Sequence, residues 1–406
     1  MAAPVTGVLA DGPLAGTWVA EALVAGVIAL PFATAAVLAV VGSWRAGVWI
    51  IAGSAGLQFV AACALPWAVP PAEAHLALLT SLVVMTTSWF GPRDIAAALE
   101  GGVLNRWRVR RYHVGCQALV GGAQLAVLGG DPFVAWIGLV VVVAAAAAMT
   151  GAVLTPAAAA AASRLVRLCG AGLVLALLGT LLLDRAPFLA GLLLLVGYGA
   201  IAGLLPLHAW LADAAAEGVA PGAILVTVVQ ANVPLLLFLR SDIAPGLQIG
   251  FGLAALLAGA VALVVRSDRR RMVAMGGLAQ LGLVVFALGT GATAAAWLLL
   301  TLLSLLRAAV LQSDGDDLAA WLAFALVPLY ALYLLAGPTV AVSAWLLLPL
   351  AGGAAAAACG LLAMRPAGIA VGWAAAPAWL EVALAAALAL AMPDTVLAWF
   401  RAAVEG

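Results

Sequence analysis

The chain is a succession of apolar segments, each long enough to cross a lipid bilayer, separated by short polar connectors. A helix needs about 20 residues to cross the hydrocarbon layer, where a backbone satisfies its hydrogen bonds only as a helix or a closed barrel. Apolar residues make up 67% of the sequence and charged residues 8%. In a water-soluble globular protein about half of the residues are apolar and about a quarter are charged. The sequence therefore predicts an all-α membrane protein.

We count about fourteen such segments by length and composition. They cover residues 15–41, 47–68, 74–92, 112–130, 132–154, 165–183, 187–212, 219–239, 246–265, 272–289, 292–312, 318–344, 346–363 and 368–392. No stretch is polar enough for a soluble domain, so residues 1–406 are expected to form a single polytopic membrane domain. The first segment lacks the basic start and cleavage pattern of a signal peptide, and we expect it to be retained.

The arginines predict the orientation, because connectors on the inner face of a membrane are enriched in basic residues. All seventeen basic residues are arginine, and there is no lysine. If the chain starts outside, the outer connectors hold three: Arg185, Arg240 and Arg401. The inner connectors then hold thirteen: Arg45, Arg93, Arg106, Arg108, Arg110, Arg111, Arg164, Arg167, Arg266, Arg269, Arg270, Arg271 and Arg365. We therefore expect a cell inner membrane protein with both termini outside.

One segment, LLPLHAWLADAAAEGVAPG at residues 204–222, interrupts the apolar pattern with a proline, a histidine and two acids. Lipid offers no hydrogen-bond partners, so a backbone broken by Pro206 must be buried against protein or line a wet cavity. Ionisable residues at membrane depth are costly and are candidate functional residues for that reason. The segment predicts a transporter-like architecture.

PLHAWLADAAAEGVAPG resembles the signature of the antiporter-like subunits of complex I (NADH-quinone oxidoreductase), Mrp-type cation/proton antiporters and membrane-bound hydrogenases. Three more segments resemble parts of that family in the same order: MTTSWFGPRD (85–94), SDRRRMVAMGGLAQLGLVVFALGTG (267–291) and LLSLLRAAVLQSDG (302–315).

The resemblance implies an inverted-repeat, antiporter-like fold of about fourteen transmembrane helices, two of them broken at mid-membrane. The repeats would be residues 111–239 and 246–364, followed by a last helix at 368–392. The breaks would lie at Pro206 and at Gly337-Pro338.

The ionisable residues that the family carries at mid-membrane are largely replaced in this chain. The resemblance places a glutamate at Ile137, a lysine at Ile201 and a lysine or histidine near residues 230–232. Only Arg307 keeps a cation, where the family has lysine. Arginine is effectively always protonated, so it cannot relay protons by releasing one. The sequence predicts a degenerate proton path.

The polar residues left on that path are His208, Gln230, Asn232, Gln280 and Arg307. His208 could hand protons into the break or hold the break by bonding its freed carbonyls. Asp213 and Glu217 follow the break and are predicted to be helix-end charges. Arg307 could be a mid-membrane site or could reach toward Asp314, Asp316 or Asp317 at the end of its helix.

Glu381 is an intramembrane acid in the middle of the last segment, at a place where the family signature predicts none. Three alternatives remain open for it: a protonated, silent side chain, a pair with a polar group on a neighbouring helix, or a contact with a partner subunit.

Three functions remain compatible with the sequence. The first is a membrane subunit of a complex I-related, ion-translocating assembly, acting as a scaffold or coupling element. The second is an active proton or cation channel through the polar residues of the path. The third is the antiporter-like half of an inorganic-carbon-accumulating complex driven by proton flow.

The expected partners are the lipid bilayer and other membrane subunits, and nothing points to nucleic acid. The four cysteines, Cys63, Cys116, Cys169 and Cys359, match no zinc or iron–sulfur spacing. With no dinucleotide-binding motif and no metal-ligand spacing, we expect no cofactor and no metal in this chain. Any redox centre would belong to partners, and whether the chain is part of an enzyme stays open.

The orientation can be tested by labelling single cysteines placed in residues 100–105 with a membrane-impermeant reagent. We expect labelling only from the inner face, whereas a control cysteine at Asp184, beside Arg185, should react from outside. Labelling of residues 100–105 from outside would contradict the predicted topology.

Overall fold

The computed structural model describes residues 16–241, 243–265, 268–313, 318–342, 346–363 and 376–390. These residues form seventeen α-helices, a 3-10 turn at Leu65–Trp67 and a π-helical segment at Leu225–Val229, with no strand in the described ranges. The predicted all-α fold class is confirmed.

The helices of the first half are α1 (Trp18–Val40), α2 (Trp44–Ala62), α3 (Pro71–Phe90), α4 (Pro92–Glu100), α5 (Arg106–Leu128), α6 (Pro132–Thr150), α7 (Pro156–Leu182), α8 (Pro187–Ala202) and α9 (Ala209–Glu217). Those of the second half are α10 (Ala220–Ile224), α11 (Gln230–Arg240), α12 (Pro245–Val265), α13 (Arg269–Gly289), α14 (Thr293–Gln312), α15 (Leu318–Val342), α16 (Leu347–Ala363) and α17 (Ala376–Leu390).

A helix lies in each of the fourteen predicted segments. Within the described residues, nine spans are long and apolar enough to cross a membrane, or ten if α3 and α4 count as one span bent by 48°. Three shorter apolar helices lie within α8, α16 and α17. Multiple membrane spans are therefore established, and the exact number of crossings stays a prediction. Helix α4 was not predicted, because its polar residues resemble a connector.

The short connectors determine where several helices begin. Six of the described helices start on a proline, whose missing N–H has no partner in the first turn in any case: Pro71, Pro92, Pro132, Pro156, Pro187 and Pro245. Asp131 accepts bonds from the backbone N–H groups of Phe133 and Val134 at the start of α6, and Thr155 accepts one from Ala158 at the start of α7. These caps satisfy donors that the first turn leaves free.

The chain breaks between α8 and α9, where the sequence predicted a break at Pro206. Helix α8 ends at Ala202, and Gly203 takes a left-handed conformation (φ 81°) that a residue with a side chain rarely adopts. The backbone is not helical again until Ala209. The predicted interruption of this span is present.

The second predicted break needs correction. Helix α15 continues from Leu318 to Val342, through Gly337 and Pro338. Proline removes only one N–H donor from a helix, and membrane helices tolerate that loss where neighbouring groups compensate for it. The irregularity lies instead in the eighth span, where the π-helical segment separates α10 from α11. No proline or glycine within Leu225–Val229 marked it in the sequence.

Helix α14 lies at the centre of the bundle. All residues of its apolar core are buried, and the spans of α13 and α10–α11 are nearly as enclosed. Helix α14 packs against α3, α10, α13, α15, α17 and the π-helical segment. Helices α1 and α7, in contrast, expose most of their side chains. Polar groups on α14 therefore lie as far from lipid as this fold allows.

Three helix pairs approach closely because one helix presents a glycine to the backbone of the other. A Cβ on Gly138 would lie 2.6 Å from the backbone nitrogen of Ala126, joining α6 to α5. A Cβ on Gly197 would lie 2.6 Å from the backbone nitrogen of Ala176, at the contact between α8 and α7. A Cβ on Gly252 would lie 2.5 Å from the backbone nitrogen of Phe286, at the contact between α12 and α13. Small residues at such contacts drive helix association in membranes, where apolar burial gives little preference for protein over lipid.

Substituting Gly252 by valine should destabilise the protein by about 1–3 kcal/mol, because the new side chain overlaps the backbone of α13. Gly250 is the matched control on the same helix, since no atom lies within 4 Å of its would-be Cβ. Thermal unfolding in detergent should show a lower midpoint for Gly252→Val only. Equal midpoints for the two variants would contradict the close α12–α13 contact.

Candidate proton-path site

The break between α8 and α9 is held by side chains from neighbouring elements. Carbonyls in the last turn of a helix lack intrahelical donors. Here the Trp210 indole Nε1 donates to the Ala200 carbonyl at 2.8 Å. The Gln230 amide Nε2 donates to the Ile201 carbonyl at 3.3 Å. Trp210 is fully buried; the motif contains this tryptophan, but the sequence assigned it no role. These two side chains supply the bonds to freed carbonyls that one alternative assigned to His208.

His208 lies at the start of α9 and is half-buried, whereas Pro206 in the break is exposed. The break is therefore exposed at the surface of the chain at Pro206, whereas Trp210, which follows it, is buried. His208 is placed beside this opening, where a proton carrier could reach water or a neighbouring subunit.

The acids that follow the break form ion pairs with arginines of two other helices. Asp213 pairs with Arg164 of α7 and, at 3.6 Å, with Arg271 of α13. Glu217 pairs with the same Arg271 at 3.2 Å. The predicted helix-end charges are thus a cluster that ties α9 to α7 and α13. At least one partner of each pair is partly exposed, so each pair contributes little to stability on its own.

Arg307 is buried at the centre of the bundle, with 1% of its surface exposed. Its Nη1 donates to the backbone carbonyl of Thr227, in the middle of the π-helical segment. Its Nε and Nη2 have no hydrogen-bond partner among the described residues. A buried cation without an acid is costly, and the bond to the Thr227 carbonyl is its observed compensation. Asp314, Asp316 and Asp317, the other predicted partners, lie outside the described residues.

Gly277 on α13 makes the room for this guanidinium. A Cβ at position 277 would overlap Nη2, Cζ and Nε of Arg307. The site thus combines a cation on α14, an irregular turn opposite it and a glycine behind it. The three come from separate parts of the sequence, and only Arg307 was predictable from a motif.

Polar residues recur every three positions on α14, at Thr301, Ser304 and Arg307. Ser304 Oγ accepts a bond from Asn232 Nδ2 at 2.7 Å, which links α14 to α11. Thr301 Oγ1 lies 2.8 Å from Nε2 of His75, on α3. This stripe contacts a second histidine, the half-buried His75, which the sequence analysis had missed.

The other predicted path residues are buried and bond to different neighbours. Gln280 Nε2 donates to the Phe324 carbonyl of α15 at 2.8 Å. Gln230 donates to the Ile201 carbonyl at the break, and Asn232 donates to Ser304. Arg307 donates to the Thr227 carbonyl of the π-helical segment. The amide oxygens of Gln230 and Gln280 have no partner among the described residues. The structure places these residues in one core without a continuous direct chain of hydrogen bonds between them.

The two isoleucines at positions assigned to ionisable residues lie in different surroundings. Ile201 is fully buried at the end of α8, in contact with Gln230 through its carbonyl. Ile137 on α6 is 51% exposed and points out of the chain. Neither position carries a group that binds or releases a proton.

Glu381 on α17 is buried, with 1% of its surface exposed. Its Oε1 accepts a bond from Thr86 Oγ1 on α3 at 2.7 Å. It also accepts one from Gln312 Nε2 on α14 at 3.1 Å. Of the alternatives open for Glu381, a pairing with polar groups of neighbouring helices is the one that the geometry contains.

The described residues contain no group of three or more His, Cys, Asp or Glu side chains that could hold a metal ion.

The fold and this core define a polytopic helical membrane protein with an antiporter-like architecture. Residues 135–313 match the family model of the transmembrane domain of NADH:quinone oxidoreductases and Mrp antiporters. This match covers less than half of the chain, and over that part it confirms the resemblance read from the motifs.

A hydrogenase-4 component F homolog from Methylacidiphilum infernorum is 29% identical over 314 residues, which are 66% of this chain and 66% of that protein. Formate hydrogenlyase subunit 3 of Escherichia coli is 31% identical over 110 residues, 25% of this chain. That match spans 18% of the Escherichia coli protein. The chain thus spans slightly less than two thirds of the first relative and a small part of the second.

In the solved Mrp complex from Dietzia sp., one chain superposes with a TM-score of 0.80 at 15% identity, over 96% of this chain and 98% of that one. In respiratory complex I from Thermus thermophilus, one chain superposes with a TM-score of 0.75 at 19% identity, over 91% and 98%. At these identities the likeness concerns the fold alone. It extends over nearly the whole chain.

The Gly277–Arg307 contact can be tested by a double-mutant cycle. Gly277→Ala should destabilise the protein, although alanine normally favours a helix by about 0.5–1 kcal/mol over glycine. In an Arg307→Ala background the same change should be neutral or stabilising, with a coupling of about 0.5–3 kcal/mol between the two positions. Chemical or thermal unfolding in detergent measures the unfolding free energies of the single and double variants. Changes in unfolding free energy that simply add in the double variant would contradict the contact.

Proposed function

We propose that this chain is an antiporter-like subunit of a complex I-related membrane assembly that couples or scaffolds ion translocation without relaying protons along its own centre. The observation that carries the proposal is the burial of Arg307, a cation inside the bundle. No acidic side chain among the described residues forms a hydrogen bond with it. The hydrogenase, Mrp and complex I proteins that resemble it are, by their names, components of multi-subunit complexes.

A relay needs side chains that bind and release protons in turn. Along the path assigned by the family resemblance, positions 137, 201 and 230 carry isoleucine, isoleucine and glutamine. Arginine holds its proton throughout the physiological range. A proton that entered at His208 would therefore meet amides and a fixed cation, with no acceptor to take it further.

The fixed charge also opposes the passage of cations. An arginine in a narrow pore raises the electrostatic barrier to protons and metal cations. Arg307 is held on the Thr227 carbonyl and enclosed by Gly277. Its burial among the helices, five residues before the end of α14, supports a blocking role.

A second candidate function is a water-filled proton channel. It is favoured by the unpartnered amide oxygens of Gln230 and Gln280, since buried polar atoms of this kind are the usual sites of ordered water. Water could carry protons past the missing side chains, and His208 would then be the entrance.

Proton uptake into liposomes that contain the purified chain separates the two functions. We expect uptake no faster than in protein-free liposomes, with an added protonophore showing that the vesicles are sealed. Uptake that is fast and is lost in His208→Ala would overturn the proposal in favour of the channel.

His113→Ala is the matched control for that variant. His113 is a buried histidine on α5, close to Gly47 of α2 and outside the break. A channel through the break should lose its flux in His208→Ala and keep it in His113→Ala. Equal loss in both would indicate a folding defect, to be resolved by comparing their unfolding midpoints.

A further inference from the structure

A crevice of about 400 Å³ opens at the bend between α3 and α4 and reaches into the bundle. Arg93 and Asp94 line it, and 59% of the Arg93 side chain is exposed. Thr87 and Gln312 line it as well, and both are buried. The crevice therefore connects a charged surface with buried polar groups of α3 and α14.

Gln312 is also one of the two residues that bond to Glu381. The crevice thus ends one side chain away from a buried carboxyl group on α17. Glu381 itself is not part of the crevice lining, so the amide of Gln312 separates the two.

The unpartnered atoms around Gln312 point to a missing proton donor. Glu381 Oε2 and Gln312 Oε1 have no hydrogen-bond partner among the described residues, and neither has Thr87 Oγ1. Both carboxylate and amide oxygens are acceptors only. If Glu381 is ionised, Glu381 Oε2 and Gln312 Oε1 both stay buried without a hydrogen-bond donor, which costs free energy.

One proton on Oε2 of Glu381 removes this conflict. A carboxylic acid and a primary amide can pair through two hydrogen bonds, with the amide N–H donating to one carboxyl oxygen and the acid O–H donating to the amide oxygen. The first of these bonds is present between Gln312 and Glu381. The second needs the carboxyl proton.

We propose that Glu381 is a proton-binding site that exchanges its proton with water entering from the α3–α4 crevice, past the side chains of Gln312 and Thr87 that line it. The site lies on a helix outside both predicted repeats and is separate from the central path. It goes beyond the proposed function, because it gives the chain a proton-loading group beside the α3–α4 crevice.

The titratable groups on the helices packed against α17 make their observed bonds elsewhere. On α3, Glu73 pairs with Arg240 and His75 with Thr301. Arg307 on α14 lies five residues from Gln312 and bonds to the π-helical segment.

On α15, the Tyr330 hydroxyl donates to the Ala389 carbonyl, and Tyr333 is 69% exposed. The groups that contact Glu381 directly are Thr86 and Gln312. Thr86 is a neutral hydroxyl and Gln312 a neutral amide, so neither offers a counter-charge to an ionised carboxyl.

Infrared spectroscopy of the chain in nanodiscs tests the site, because a protonated carboxyl has a C=O band that shifts when its proton is replaced by deuterium. At neutral pH we expect one such band that disappears in Glu381→Gln and stays in Glu217→Gln. Gln312→Met should shift it, since the amide partner is lost. Absence of a Glu381 band at neutral pH would overturn the proposal.

The route of exchange is tested without altering Glu381. In a background with the exposed Cys63 and Cys359 replaced by alanine, Arg93→Cys places a thiol at the mouth of the crevice. Coupling a bulky thiol reagent to it after folding should slow deuterium exchange of the Glu381 band severalfold relative to the unlabelled variant. An unchanged exchange rate would overturn the crevice as the route.

Discussion

The bond between the Arg307 guanidinium and the Thr227 carbonyl is the interaction on which the centre of this protein depends. A buried cation must find acceptors or destabilise the fold. The Thr227 carbonyl, in the π-helical segment Leu225–Val229, is the acceptor observed here. Gly277 provides the space. A change in any one of the three would disturb the packing of α14 against its neighbours, which include α3, α10, α13, α15 and α17.

Under the proposed function, this arrangement would keep an antiporter-like fold in place without a proton relay. The fold rests on close glycine contacts between helices, on the bonds of Trp210 and Gln230 across the break and on ion pairs at helix ends. None of these requires a group that changes its protonation state. The family positions at 137 and 201 could therefore lose their charges while the helices kept their places.

Much of the fold could be predicted from the sequence, because composition and segment length dictate membrane helices and the PLHAWLAD motif marks the break at Pro206. The distant bonds could not be predicted. The π-helical segment has no local residue signal, and the partners of Arg307, Asn232 and Glu381 lie 80, 72 and up to 295 residues away. The helix through Gly337-Pro338 shows the opposite error, since proline suggested a break that the surrounding helices did not require.

The central claim is that Arg307 is a fixed charge, and its ionisation state can be observed directly. Nuclear magnetic resonance of the chain labelled with ¹⁵N-arginine, with the Arg307 signals assigned by their loss in Arg307→Lys, reports whether the guanidinium is protonated. The account predicts shifts of a charged guanidinium that do not change between about pH 5 and 8, as expected for a group that keeps its proton. Signals that titrate within that range would show that Arg307 exchanges protons, and would contradict a fixed charge at the centre of the bundle.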